Sequence, residues 1–113
     1  MNEAAPVESR LFQLILGDLS PLPTMLTEGK LPPEWVERYL ALLEEAEQKW
    51  HGRPEAPWEL LSALRAATWH LEIRYQSWCS FDKTRNEVTE QQLARIRKPS
   101  EALLSSIVER NRR

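Results

Sequence analysis

Cysteine, glycine and long apolar runs are all scarce in this chain of 113 residues. Its single cysteine, Cys79, excludes a disulfide within the chain and is typical of a reducing compartment. Three glycines and few β-branched runs argue against a sheet built from hairpins. The apolar stretch from Leu11 to Leu16 is too short to cross a bilayer, and the N-terminus lacks the basic region of a signal peptide. We therefore expect a soluble, cytoplasmic protein without membrane contact.

Motifs that mark chemical sites are also missing. The candidate metal ligands are His51, His70 and Cys79, but the sequence has no Cys-x-x-Cys and no His-Glu-x-x-His. Cys79 falls at the predicted end of a helix, where the helix dipole disfavours a thiolate. Neither a Gly-x-Ser-x-Gly nucleophile turn nor a glycine-rich phosphate loop occurs. The sequence therefore predicts a protein that is not an enzyme, with no catalytic residue, no metal and no cofactor.

Apolar residues instead recur every three or four positions, which is the spacing of amphipathic helices. The clearest stripe consists of Trp35, Val36, Tyr39, Leu42, Leu43, Ala46 and Trp50. The pattern predicts an all-α fold, a compact bundle of about four main helices that forms one domain over residues 1–113. The predicted helices span about 7–16, 33–50, 57–78 and 88–109, with a proline-rich linker at about 20–33.

Prolines shape two of the predicted connections. The loop at 53–57 is short, which favours helices 33–50 and 57–78 as antiparallel neighbours. Pro99 lies inside the last apolar pattern, and proline removes a backbone donor from a helix. We expect the C-terminal helix to be either kinked or split near Pro99.

The helix predicted at 57–78 is apolar on two sides. Its main stripe is Leu60, Leu64, Ala67, Leu71, Tyr75 and Trp78. A second stripe on another side contains Ala66, Trp69 and Ile73. Such a helix lies near the centre of a bundle, or it turns its second side to a partner. Of these two alternatives, we favour cover of Trp69 by the first or last helix of the same chain.

Charge is distributed unevenly along the chain. Residues 1–50 carry nine acidic and four basic side chains, whereas residues 83–113 carry four and eight. Four glutamates point outward from the helix at 33–50, and we call this set the acidic face. The acidic face consists of Glu37, Glu44, Glu45 and Glu47. A solvated surface is the ordinary role of such a set, but it can also occlude a basic cleft on another protein.

These observations favour a non-catalytic, helical protein-binding module. The expected class is a toxin-neutralising immunity protein, an antitoxin or a phage-type inhibitor, whose partner is another protein with a basic surface. Tryptophan and arginine often dominate the binding energy of interfaces, so Trp69 and Arg74 join the acidic face as candidate partner-binding residues.

Two alternatives remain. A small-molecule site between helices 33–50 and 57–78 would be lined by Tyr39, Trp69, His70, Glu72 and Arg74. A DNA-binding regulator would use Arg95, Arg97 and Lys98 in the basic C-terminal segment. The net charge of −2 and the absence of aromatic residues from that segment argue against nucleic acid.

Overall fold

Helices account for all regular secondary structure in the part of the chain that the computed structural model describes, residues 5–82 and 85–111. Residues 1–4, 83–84 and 112–113 of the predicted domain lie outside the described residues. The elements are α1 (Val7–Leu16), α2 (Leu22–Glu28), α3 (Pro33–Trp50), α4 (Trp58–Arg65), a π-helical turn (Ala66–His70), α5 (Leu71–Asp82) and α6 (Glu87–Asn111). The all-α class is therefore confirmed.

The stretch expected to be a proline-rich linker contains the short helix α2. Pro21 precedes α2 and Pro23 lies in its first turn, where a missing N–H costs nothing. The helix ends at Gly29, whose φ of 65° lies in the left-handed region and whose N–H donates to the Met25 carbonyl at 2.9 Å. Met25 is fully buried, so α2 contributes to the core.

α1 and α6 separate α3 from α4. α1 packs against both α3 and α4, and α6 packs against α3, α4 and the π-helical turn. α3 and α4 are thus diagonal partners across the bundle, contrary to the expectation that a short loop makes them neighbours. The seven residues between Trp50 and Trp58 explain the difference, because an extended chain of that length reaches about 20 Å. That reach exceeds the spacing of adjacent packed helices, about 8–10 Å.

The buried side chains form one connected core that draws on all the helices named above. The largest fully buried side chains are Tyr39, Tyr75, Leu11, Leu14, Ile15, Met25, Leu60, Leu64, Leu71, Ile96, Leu103 and Ile107. Trp35 is also buried, and its indole N–H donates to the Leu14 carbonyl at 2.8 Å. α1 and α3 are therefore joined by a hydrogen bond as well as by apolar contact.

Pro99 lies within α6 without splitting it, because the helix runs unbroken from Glu87 to Asn111. Pro99 is exposed, so its ring does not displace the core-facing residues Ile96 and Leu103. Ser100, the next residue, is fully buried and donates its hydroxyl proton to the Ile96 carbonyl at 2.8 Å. Of the two forms expected for this segment, the split pair of helices does not form.

The long helix expected at 57–78 contains a widened turn. At the end of this turn the N–H of Leu71 donates to the carbonyl of Ala66, five residues earlier, which is the π-helical pattern. Ala66, Ala67 and Thr68 are all buried, whereas the next two residues of the turn, Trp69 and His70, are exposed. A single added residue per turn leaves little trace in an apolar pattern, which is why the sequence predicts a regular helix here.

Candidate functional site

Two of the four acidic-face glutamates hold basic partners within the fold. Glu37 accepts a hydrogen bond from Arg95 of α6 at 3.0 Å. Glu45 accepts one from Arg10 of α1, also at 3.0 Å. Both pairs join helices that pack against each other, so these carboxylates contribute to the bundle's own surface electrostatics.

The other two acidic-face residues have no lysine or arginine partner in the part of the chain that the structure describes. Glu47 contacts the ring of His51, one turn further along the chain. Glu44 is exposed and has no ion-pair partner among the residues that the structure describes. The carboxylates with most freedom to meet a partner are therefore at the C-terminal half of α3.

The basic candidates for nucleic-acid binding are mostly paired with carboxylates. Arg95 is the partner of Glu37. Arg97 contacts Glu72 of α5 at 2.7 Å and Glu101 at 3.8 Å. Lys98 is exposed and makes no ion pair within residues 5–82 and 85–111. A phosphate backbone would have to compete with three nearby carboxylates for two of these three cations.

The five residues expected to line a small-molecule pocket do not converge. Tyr39 is fully buried in α3, with its hydroxyl 2.7 Å from Ser100 Oγ. Trp69, His70 and Arg74 point into solvent from helical segments that make no substantial contact with α3. Glu72 is half-buried and is paired with Arg97 of α6. The expected pocket does not form because the π-helical turn and α5, which carry four of the five residues, are not adjacent to α3.

Among the side chains that the structure describes, Trp69 and Ile73 form the most exposed apolar pair on one helical surface. Trp69 is 70% exposed and Ile73, one turn later, is 53% exposed. The expectation that the fold would cover Trp69 is therefore wrong. α1 and α6 pack against the π-helical turn and α2 packs against α5, and Ala66, from the same predicted stripe, is buried.

Three cationic or titratable side chains surround this apolar pair. Arg65 lies one turn before Trp69, while His70 and Arg74 follow each other on the adjacent row of the helix. All three are exposed. Neither arginine makes an ion pair in the part of the chain that the structure describes. We call the five residues Arg65, Trp69, His70, Ile73 and Arg74 the Trp69 face.

A polar contact that the sequence does not indicate joins the end of α5 to the start of α6. The Tyr75 hydroxyl accepts the Asn86 N–H at 2.8 Å and lies 3.1 Å from Glu90 Oε2. Arg85 also contacts Glu90, at 2.7 Å. Burial raises the pKa of Tyr75 to about 12, and the hydrogen bond from Arg85 holds the pKa of Glu90 below its usual value. The phenol stays neutral at physiological pH, so this contact holds two helices together and supplies no base.

A second unpredicted contact ties the start of α1 to the end of α3. Glu8 is buried, and its carboxylate accepts hydrogen bonds from Trp50 Nε1 at 3.2 Å and Lys49 Nζ at 3.3 Å. Burial raises the pKa of Glu8, but its own backbone N–H, Trp50 and Lys49 together outweigh burial and hold the pKa below its usual value. The carboxylate is ionised and fully engaged, as expected of a structural pair.

Within the described ranges, no three histidine, cysteine or acidic side chains approach closely enough to hold a metal ion. None of the helices described combines the length and the apolar character needed to cross a membrane. Cys79 is a free, half-buried thiol.

Comparison of the chain with protein-family models, with curated proteins and with solved structures finds no match.

Proposed function

We propose that this protein is a cytoplasmic, non-catalytic protein-binding module that docks through the Trp69 face. The observation that carries the proposal is the pair of neighbouring side chains, Trp69 and Ile73, held more than half exposed beside two unpaired arginines. Apolar surface left in water is unfavourable by about 25 cal/mol per Å², so a partner that covers a tryptophan gains substantially. Tryptophan and arginine are also the residues most often found at energetic centres of interfaces.

The charge around this surface favours a partner segment with an apolar side chain flanked by acidic ones. Arg10, Arg85, Arg95 and Arg97 each have a carboxylate partner within the fold. Arg65 and Arg74 remain available, and complementary charges raise the association rate and select among partners. The Trp69 face thus prefers a negatively charged partner, whereas the acidic face prefers a positively charged one.

Occlusion of a toxin or enzyme surface, as by an immunity protein, an antitoxin or a phage-type inhibitor, is the form of binding that we propose for this module. Two features support this proposal. The scaffold is small and helical with an exposed docking surface, and several of its charged side chains are engaged in ion pairs within the fold. The identity of the bound protein distinguishes an inhibitor of that protein from an adaptor that only binds it.

The test is quantitative co-purification of the tagged full-length chain, with bound proteins identified by mass spectrometry after cross-linking. Trp69→Ala and Arg74→Glu should each weaken a recovered complex by about 30-fold or more, the loss expected at an interface centre. Both positions are exposed, so the variants should keep wild-type stability to within about 0.5 kcal/mol.

Val88→Ala is the matched control, because Val88 is 65% exposed but belongs to the start of α6 and not to the Trp69 face. It should bind like the wild type. Equal recovery of partners by Trp69→Ala and the wild type would refute the docking surface. Repeated failure to recover any partner, with the protein monomeric in solution, would count against a binding function altogether.

A further inference from the structure

A groove lies between α3 and α6 where Pro99 interrupts the backbone donors of α6. Its volume is about 290 Å³. Four of its six lining residues are apolar, and we call them the floor; the other two are acidic-face glutamates, and we call them the rim. The floor is Leu40, Leu43, Pro99 and Ala102, and the rim is Glu44 and Glu47. We call this feature the Pro99 groove.

The spacing of these residues explains why the groove exists. On α3, Leu43 and Glu44 lie three and four residues after Leu40, and Glu47 lies four residues after Leu43, so all four share one side of the helix. On α6, Pro99 and Ala102 are three apart and present little side-chain bulk to α3. The adjacent Ser100 turns inward to Tyr39, which holds α6 against α3 beneath the groove. The floor is therefore supported by the core.

The rim is negatively charged and open to a cation. Glu44 makes no ion pair with any residue that the structure describes, and Glu47 contacts only His51 there. A lysine or arginine has a long apolar stem and a charged tip, and such side chains lay the stem on apolar surface while the tip stays in a polar environment. The Pro99 groove matches such a side chain in two ways. Its apolar floor can contact the stem, and its carboxylate rim can contact the charged tip.

We propose that the Pro99 groove receives a lysine or arginine side chain from a basic segment of a protein partner. The stem lies on Leu40, Leu43 and Ala102, and the charged tip meets Glu44 and Glu47. A volume of about 290 Å³ is just below the range of small-molecule pockets, which start at about 300 Å³, and suits one long side chain. This site is separate from the Trp69 face, because α3 does not pack against the π-helical turn or α5. The molecule thus carries two docking surfaces of opposite charge preference.

Three blocked pentapeptides test this assignment. They are identical except at the central residue, which is arginine, norleucine or glutamate, and each is titrated into the ¹⁵N-labelled full-length protein. The arginine peptide should shift the backbone amide signals of Leu40, Glu44 and Ala102. The norleucine peptide should bind at least threefold more weakly because it keeps the stem but lacks the charge, and the glutamate peptide should produce no shift.

Variants separate the two parts of the site. The double variant Glu44→Gln with Glu47→Gln keeps the groove's shape and should weaken arginine-peptide binding by about threefold to tenfold, the combined effect of two exposed ion pairs. Ala102→Phe fills the groove from an exposed position and should abolish binding of both the arginine and the norleucine peptides. Glu55→Gln, an exposed loop carboxylate outside the groove, is the control and should bind like the wild type.

Equal affinity for the arginine and norleucine peptides would overturn the assignment and leave a purely apolar site. Unchanged arginine-peptide binding by the double glutamine variant, or no amide shift at Leu40 and Ala102, would also overturn it. Concentration-dependent shifts at the same amides without peptide would instead assign the groove to a second copy of this chain. Trp69→Ala should leave peptide binding unaffected, so failure here and failure of the Trp69 face are distinguishable.

Discussion

The buried pair of Tyr39 and Ser100 allows a sharp test of how α3 holds α6. The two hydroxyl oxygens are 2.7 Å apart and both residues are fully buried. Ser100 has one hydroxyl proton, which it donates to the Ile96 carbonyl at 2.8 Å. Tyr39 must therefore be the donor in the pair. Burial raises the pKa of Tyr39 well above its usual value, so the phenol keeps the proton that it donates.

The direction of this hydrogen bond makes the two single substitutions unequal. Tyr39→Phe removes the donor and leaves Ser100 with its bond to Ile96, so we expect a loss of about 0.5–1.5 kcal/mol in the free energy of unfolding. Ser100→Ala leaves the Tyr39 hydroxyl buried without an acceptor, at a cost of about 1–3 kcal/mol. The double variant removes both groups and should lose about 1 kcal/mol less than the sum of the single losses.

The free energy of unfolding of the wild type, the two single variants and the double variant is measured by urea unfolding, monitored by tryptophan fluorescence. The dependence of this free energy on urea concentration should be the same for all four proteins if the transition is two-state. Ser105→Ala is the control for the helix propensity gained with alanine, because Ser105 is an exposed serine of the same helix. A Ser100→Ala loss no larger than the Tyr39→Phe loss would refute donation by Tyr39, and so would losses that add to within about 0.3 kcal/mol in the double variant.

Two further predictions concern α2 and the contact between α5 and α6. Gly29→Ala should cost about 2–4 kcal/mol in urea unfolding, because φ is 65° and the new Cβ would lie 2.6 Å from the Trp78 ring. That cost should shrink in a Trp78→Leu background, and an unchanged cost would contradict the clash. The raised pKa of Tyr75, about 12, means that folding favours the neutral phenol, so its stabilising effect is full below pH 10 and fades between about pH 10 and 12. Tyr75→Phe should therefore lose less stability than the wild type between pH 9 and 11.5, whereas equal losses would show that this phenol does not titrate as stated.

The spacing of apolar residues in the sequence is sufficient to predict the helices that have one clear buried side. α3 runs from Pro33 to Trp50, and the apolar stripe lies within it, from Trp35 to Trp50. The π-helical turn could not be foreseen, because the spacing from Leu64 to Ala67 to Leu71 fits a regular helix equally well. α2 was missed because Pro21 and Pro23 suggest a break, although both positions are compatible with the start of a helix.

The candidate site shows which information a single sequence lacks. The acidic residue Glu37 and the basic residue Arg95 belong to rival binding hypotheses, yet in the fold they are partners, 58 positions apart. Pairing of that kind depends on which helices are adjacent, and periodicity does not specify adjacency. The second apolar stripe with Trp69 was visible in the sequence, but its exposure depends on where α1, α2 and α6 pack.

The diagonal placement of α3 and α4 has a consequence for how the chain acquires its structure. The contacts that close the bundle join segments far apart in sequence, such as Ser9 with Glu59 and Gly52 with Ser106. α3 and α4 make few contacts with each other, and each gains its contacts from α1 and α6, so a hairpin of these two helices should not be stable on its own. Closing such long loops costs conformational entropy before any contact compensates for it. This cost slows folding. The native state should accordingly assemble late and as a unit, with little stable structure in any fragment that lacks either end.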